Sequence, residues 1–402
     1  MTADSRITQL AVAIRMTVSD PELFATPNHQ PRIAVFDDSP QAISLSESQN
    51  PPAGQSCLFF PESVDGAGLA QSLTETIGTS KKAPSAVAVK NLGVFGIGRT
   101  SGEARRSLQA LYGDSDSAPV ADDGAGRYQR LAGRVVVITG SAQGFGKGIA
   151  EELARDGAHL IIADINEEKG LETCGMINEQ SSNNSAVFCR TDVTSEDSLD
   201  ACIQQAVRSF GGVDMFIANA GILKAGALHE LDPKAFELVT KVNYSAYYLC
   251  ARAAAPVMKL QNSYNPRYSM DIIQVNSKSG LQGSNKNFAY AGSKFGTIGL
   301  TQSFAMELIE YSIKVNSVCP GNFFDGPLWS DPKNGLFVQY LNAGKVPGAK
   351  TIEDVRRFYV NKVPMRRGCL PRDVARAIVY AHEQEYETGQ AIPVTGGQVM
   401  LK

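Results

Sequence analysis

The sequence predicts an α/β fold of the doubly wound kind, a parallel sheet covered by helices, with a small α/β appendage ahead of it. Three observations carry that prediction. From Leu131 onward, β-rich apolar runs alternate with helical runs to the end of the chain, the order that parallel strands joined by crossover helices require. Val135–Ile138 is apolar without interruption, as suits a strand buried on both faces. At 113–130, "GDSDSAPVADDGAGRYQR", periodicity gives way to Asp, Ser, Gly, Ala and Pro, the composition of a linker. The chain therefore divides into an appendage at 1–113, a linker at 114–130 and a main domain at 131–402.

Within the appendage the pattern is thin. "RIAVFD" (32–37), "SCLFF" (56–60) and "SAVAVKNLGVFGIG" (85–98) read as strands, and "SGEARRSLQALY" (101–112) as a helix, with the polar stretch "DSPQAISLSESQNPPAGQ" interrupting them. The opening "MTADSRITQLAVAIRMT" holds a short apolar stretch broken by charge, too brief for a signal segment, and no run approaches membrane-spanning length. A net charge of −3 over 402 residues argues against a general nucleic-acid binder, which needs a basic face to displace counterions. Seven cysteines are scattered with no C-x-x-C pair, which suits a reducing compartment. The expectation is a soluble cytoplasmic protein acting on a small molecule, without nucleic-acid or membrane partners.

The stretch 131–165 reads as strand, glycine-rich turn, helix and strand, with Gly140, Gly144 and Gly146 in the turn and the helix beginning near Lys147. Glycines there let the backbone turn tightly and let a pyrophosphate approach amides at a positive helix end. Asp164 closes the second strand, 24 residues after Gly140, where a carboxylate can accept from ribose hydroxyls and repel an additional phosphate. That favours NAD over NADP. An aspartate at this place can equally cap the following helix.

Downstream, Tyr290 and Lys294 are spaced i, i+4 in "YAGSK", on one face of a helix, and Ser277 lies 13 residues before Tyr290 at the end of the strand "DIIQVN". Hydride transfer needs a proton to move to or from the substrate oxygen. Free tyrosine titrates near pH ~10, too high for an efficient base at neutrality, and a neighbouring ammonium draws that value down. Taken singly, the pair fits a solvated helix face and Ser277 a strand-end hydroxyl bonded to backbone.

The glycine motif T-G-x-x-x-G-x-G at Thr139–Gly146 resembles that of the short-chain dehydrogenase/reductase family, a Rossmann fold. The resemblance continues through "TDV" (191–193), "ANAG" (218–221), "VNY" (242–244) and "NSVCPG" (316–321), spanning about 131–400. It implies cofactor contacts at Gly140, Ser141, Gln143, Gly144, Phe145 and Gly146 in the turn, at Asp164 and Ile165, and at Asp192 and Val193. It adds Asn219, Ala220 and Gly221, then Pro320, Gly321 and Phe323, together with Tyr290 and Lys294. It also implies that Lys294 bonds the nicotinamide ribose, Ser277 orients the reacting oxygen and Asn243 holds a water in a proton relay. A homotetramer or homodimer is implied too. The family's threonine after P-G is replaced here by Asp325, which puts its carboxamide contact in doubt.

Lys278 follows Ser277 where generic members carry a small or apolar residue, and a cation there points to an anionic substrate. Lys224, Arg366, Arg367 and Lys362 are candidates to join it, with Asn322 beside them, since lysine and arginine suit a phosphate. "QVNSKSG", "GNFFDGPLW", "KVPMRRGC" and "TGQAIPVTGGQVM" together resemble the bacterial sorbitol-6-phosphate 2-dehydrogenase group, which implies NAD-dependent interconversion of a hexitol phosphate and fructose 6-phosphate. Alternatives left open are an unphosphorylated polyol, another acidic ketose, or a non-catalytic NAD-binding regulator. Finally, 83–112 resembles the end of a class II aldolase/adducin-like domain. His29 is the one histidine in 1–113, too few for that family's metal site, so the reading is a degenerate remnant that packs or assembles. His159, His229 and His382 are dispersed, and are read as surface or packing residues.

Overall fold

The computed structural model of the protein describes residues 2–20, 30–48, 50–51, 55–113, 129–180, 186–342 and 344–400. Most of the expected linker and His29 lie outside these residues. The first part contains α1 (Ala3–Val18), β1 (Ile33–Asp37), α2 (Pro40–Ser48), β2 (Cys57–Phe60), α3 (Gly66–Ser80), β3 (Ala86–Val89), β4 (Gly93–Gly98) and α4 (Ser101–Leu111). Its four strands form one sheet in the order β1-β4-β3-β2. The single strand expected over 85–98 is a hairpin: Asn91 and Gly93 take positive φ, and β3 pairs antiparallel with β4. The polar stretch after β1 holds α2, and 66–80, unassigned from the sequence, forms α3.

The second part begins with β5 (Val135–Thr139), α5 (Gly144–Arg155), β6 (His159–Asp164), α6 (Glu167–Gln180), β7 (Ala186–Arg190), α7 (Glu196–Phe210) and β8 (Met215–Ala218). It continues through α8 (Pro233–Thr240), α9 (Ala246–Tyr264), β9 (Met270–Val275), α10 (Phe288–Leu308) and β10 (Ile313–Pro320). An insertion of short helices follows, α11 (Pro327–Ser330), α12 (Leu336–Asn342) and α13 (Ile352–Asn361), before α14 (Pro371–Glu383) and β11 (Ala391–Val394). Seven parallel strands line up as β11-β10-β9-β8-β5-β6-β7. The winding reverses at β5, which pairs with β6 on one side and β8 on the other, and such a reversal opens a crevice at the carboxyl ends of the strands. Among the described residues no helix is long and apolar enough to cross a membrane.

The opening apolar stretch is not a loose end. It is α1, capped by the Thr2 hydroxyl and buried at every position from Leu10 to Val18. It packs against α3, α7 and α9, and one continuous core runs from Leu10 and Ile14 through Phe95 to Phe210, Phe216 and Val257. Arg15 is buried in it. Its guanidinium donates to both oxygens of Asp214, at 2.9 and 2.5 Å, and to the carbonyls of Arg32 and Gly133. Asp214 also accepts from the Val135 amide at 2.8 Å, so one carboxylate joins α1 to the start of β5. Burial opposes both charges, yet Arg15 outweighs it and holds Asp214 below the usual carboxylate range.

The histidines divide. His159 is buried against Phe210 and pushed down to about 3 by burial, His382 bonds Asp271 at 2.6 Å, and His229 is exposed. Replacing Arg15 with Met leaves Asp214 buried without its partner, so Arg15→Met should cost ~3–5 kcal/mol of unfolding free energy. Urea denaturation measures this, and a loss under about 1 kcal/mol would refute the tether.

Candidate active site

All the site segments leave the carboxyl ends of the parallel strands. At the end of β5, Gly140 takes φ +65° with the Ala220 Cα 2.8 Å from where a Cβ would stand, and a Cβ on Gly146 would lie 2.1 Å from the Gly140 carbonyl. These positions admit only glycine. Asn219 stitches the turn in place: its Nδ2 donates to the carbonyls of Thr139 (2.9 Å) and Gly140 (3.0 Å), and the Thr139 hydroxyl accepts from the Asn219 and Ala220 amides. The helix starts at Gly144, a turn earlier than the expected Lys147, because the glycines let it begin tight against the strand. Gln143, its N-cap residue, makes no capping bond to the first-turn amides, which suits an anion there. Ser141 is buried and donates to the Ile138 carbonyl.

Asp164 accepts from the Ala142 amide through Oδ2 and the Asn166 amide through Oδ1, both at 2.9 Å, which fixes its carboxylate beside the glycine turn. Asn166, not Asp164, accepts from the first turn of α6. Next to it Ile165 stands 60% exposed, an apolar surface suited to a flat base. Asp192 accepts from the amide and hydroxyl of Thr194, bonds that hold it below the usual carboxylate range, and Val193 is buried beneath. The site thus has a glycine cradle, a fixed carboxylate and an apolar shelf, which fit a dinucleotide. Beyond β10, Gly321 bonds the Val394 carbonyl and the Asn322 carbonyl accepts from Cys369. Phe323 lies on Phe145 with ring centres 4.9 Å apart, folding this loop over the glycine turn. Asp325 is bonded to Arg356 at 2.5 Å, so its carboxylate is committed to α13.

The candidate reacting residues converge from β9 and α10. Ser277 accepts from the Ser279 amide and hydrogen-bonds the Tyr290 hydroxyl. Lys294 is buried, donates to the Val275 carbonyl at 3.0 Å and stands 5.7 Å from the centre of the Tyr290 ring. Burial pulls the Lys294 ammonium down to about 8. The expected lowering of Tyr290 by this ammonium is not what the protein alone displays: burial raises the phenol above its ordinary range, and the bond from Ser277 only partly offsets it. The reason is geometric, since the ammonium lies across the ring face and is spent on a carbonyl.

Asn243 sits in a π-helical turn, Lys241–Ser245, between α8 and α9 rather than in a regular helix, a feature often found at functional positions. Its amide donates to the Ile222 carbonyl and the Ser293 hydroxyl and accepts from the Ile222 amide, pinning the loop after "NAG" to α10. A void of about 10 Å³ beside it is lined by Thr139, Gln274, Asn243 and Lys294, close to the smallest space that holds one water. Asn276 escaped the sequence reading. Its Nδ2 reaches Gln274, the Lys294 carbonyl and Thr297, locking β9 to α10, and the one available signal was an amide ending an otherwise apolar strand.

The cations divide as well. Lys278 is half-buried beside Ser277, and Lys224 is exposed. Arg366 bonds Asn361 and Arg367 pairs with Asp373, and both line a hollow of about 410 Å³ shared with Asp325 and Arg356. The charge of Lys362 reaches Lys278, while Arg366 and Arg367 are bonded to Asn361 and Asp373.

A family model described as short chain dehydrogenase matches residues 134–329. Sorbitol-6-phosphate 2-dehydrogenase of Escherichia coli K12 is 36% identical over 270 residues, 67% of this chain and 99% of that protein. The chain belongs to the short-chain dehydrogenase family. The crystal structure of sorbitol-6-phosphate 2-dehydrogenase from Erwinia amylovora matches with a TM-score of 0.60 at 35% identity, covering 66% of this chain and 100% of that one. Trans-4-hydroxycyclohexanecarboxylate dehydrogenase of Sinomonas cyclohexanicum is 29% identical over 275 residues, 67% of this chain and 94% of that protein. As a short-chain dehydrogenase the protein is an oxidoreductase that uses a nicotinamide cofactor on a small molecule. Removing the Tyr290 hydroxyl should cut turnover by about 10²–10⁴-fold, the usual worth of a placed acid–base group. Steady-state rates of Tyr290→Phe check this, and near-normal turnover would remove Tyr290 from the chemistry.

Proposed function

We propose that the protein interconverts a sugar-alcohol phosphate and a ketose phosphate, of the sorbitol 6-phosphate and fructose 6-phosphate type, with NAD. The observation that carries this reading is Lys278, a half-buried cation directly after Ser277. The name of the relative from Escherichia coli agrees with it. For the cofactor, the carboxylate of Asp164, fixed by two backbone amides beside the glycine turn, favours free ribose hydroxyls over a phosphate.

In reduction, Ser277 holds the ketose oxygen and Tyr290 delivers its proton to that oxygen. The nicotinamide, when bound, supplies the hydride. Lys294 carries positive charge near the phenolate left on Tyr290, and a water in the void beside Asn243 and Lys294 returns the proton. Burial raises Tyr290 and lowers Lys294, so the proton stays on the phenol until the substrate oxygen takes it, the form that reduction needs.

For residues 1–113 we propose a non-catalytic packing role, as a degenerate aldolase-like unit, supported by the core it shares with α7 and α9. All seven cysteines are free thiols, which supports a reducing, cytoplasmic setting. We also propose a homodimer or homotetramer. On α10, Phe295 and Met306 are 47% and 82% exposed, and Gly292 and Gly299 lie on the same face with nothing near them, an apolar stripe that a second copy would cover. Light scattering on the purified protein should give a mass at least twice that of one chain, and a monomer would refute the assembly.

The functional test is oxidation of NADH, with NADPH in parallel, on fructose 6-phosphate and on fructose. Strong preference for NADH and for the phosphate is expected. Lys278→Ala should raise KM for the phosphate at least about tenfold while fructose changes far less. Equal effects on both ketoses would sink the phosphate role of Lys278.

A further inference from the structure

The insertion between β10 and α14 carries charge that proton transfer at Tyr290 does not use. It has its own small core, including Phe324, Trp329, Phe337 and Val355. Against that core Tyr340 and Tyr359 lie with ring centres 5.4 Å apart, and each bears a lysine. The Lys345 ammonium is 3.8 Å from the centre of Tyr340, and that of Lys362 is 4.2 Å from Phe358 and 5.4 Å from Tyr359. Adjacent aromatic faces attract cations and so bring two like charges side by side.

Two more lysines meet them from the catalytic side. Lys278 is held below its ordinary range by burial and then by the charge of Lys362. Lys345 is lowered by burial and then by Lys286 and Lys362. Lys286 precedes α10 in a left-handed conformation, φ +56°, with its carbonyl accepting from the Gly226 amide. Among the described residues the lysines paired with carboxylates are Lys147 and Lys314, and none of these four is so paired. Lys278 and Lys345 are half-buried and Lys286 and Lys362 exposed; like charges gathered there repel one another, and an anion between them relieves that cost.

We propose that Lys345 and Lys362 of the insertion, with Lys278 and Lys286 beside Ser277, form a clamp for the phosphate of a sugar-phosphate substrate. This rests on the phosphorylated-substrate reading above and names the residues that would enforce it. The clamp gives a remote, non-reacting group of the substrate the means to order the reacting end.

Trp329 is the one tryptophan of the chain and packs on both tyrosines that carry the clamp, 5.8 Å from Tyr340 and 5.1 Å from Tyr359. Full-length protein titrated with inorganic phosphate at constant ionic strength should therefore show a saturable change in Trp329 fluorescence. Lys345→Gln and Lys362→Gln should each weaken that binding about tenfold or more. Lys259→Gln, which removes an ammonium 4.1 Å from the Tyr311 ring, should leave it unchanged. No saturable change, or equal affinity in parent and glutamine variants, overturns the clamp. Phosphate that binds through these lysines in a protein with no preference for fructose 6-phosphate supports the clamp and instead refutes that substrate, so the two failures are distinguishable.

Discussion

The reversal of winding at β5 is the constraint on which the site depends. Parallel strands put every carboxyl end on one edge of the sheet, and β5 sits between β6 and β8 with helices departing to opposite faces. The crevice this leaves is where Gly140, Asp164, Asp192, Asn219, Ser277 and Gly321 all emerge, although they are spread over some 180 residues of chain. No local interaction gathers them. Asn219 then holds the crevice at its working width, since its amide spans from β8 to the carbonyls of Thr139 and Gly140.

The opposite edge of the sheet is closed by buried charge. Asp214 takes the Arg15 guanidinium and the Val135 amide, and Asp271 takes His382 and Lys314, the latter at 3.3 Å. A buried ion pair adds little to stability against an apolar equivalent, yet it is costly to break, which makes it suited to fixing one docking geometry. Through Arg15 the first helix becomes part of the main domain's core.

The polarity of the two edges is therefore different in kind. At the amino edge the buried charges Arg15 and Lys314 are paired with Asp214 and Asp271. Around the crevice, among the described residues, Lys278, Lys286, Lys345 and Lys362 stand without carboxylate partners, and Lys294 donates to a carbonyl. Desolvation pulls Lys294 down and Tyr290 up, so burial favours the neutral form of both residues.

By itself the sequence determined the parallel sheet, the glycine turn, Asp164 and the Ser277, Tyr290 and Lys294 set, because each is written in short-range spacing: an unbroken apolar run, glycines before a helix, a tyrosine and a lysine one turn apart. It also marked Lys278. The tertiary structure alone decided what depends on distant neighbours. Leu10 to Val18 reads as a weak apolar stretch until α7 and α9 cover it, and Arg15 reads as surface charge until Asp214, 199 residues away, meets it. Asn276 and the π turn at Asn243 are likewise defined by partners on α10 and in the loop at Ile222. Arg366 and Arg367 looked equivalent to Lys362, yet the chain turns at Arg366, φ +56°, and sends them to Asn361 and Asp373 while Lys362 stays on its aromatic support near Lys278. Spacing reports which residues share one element; which charges face one another is set by the packing of elements, and that has no local code.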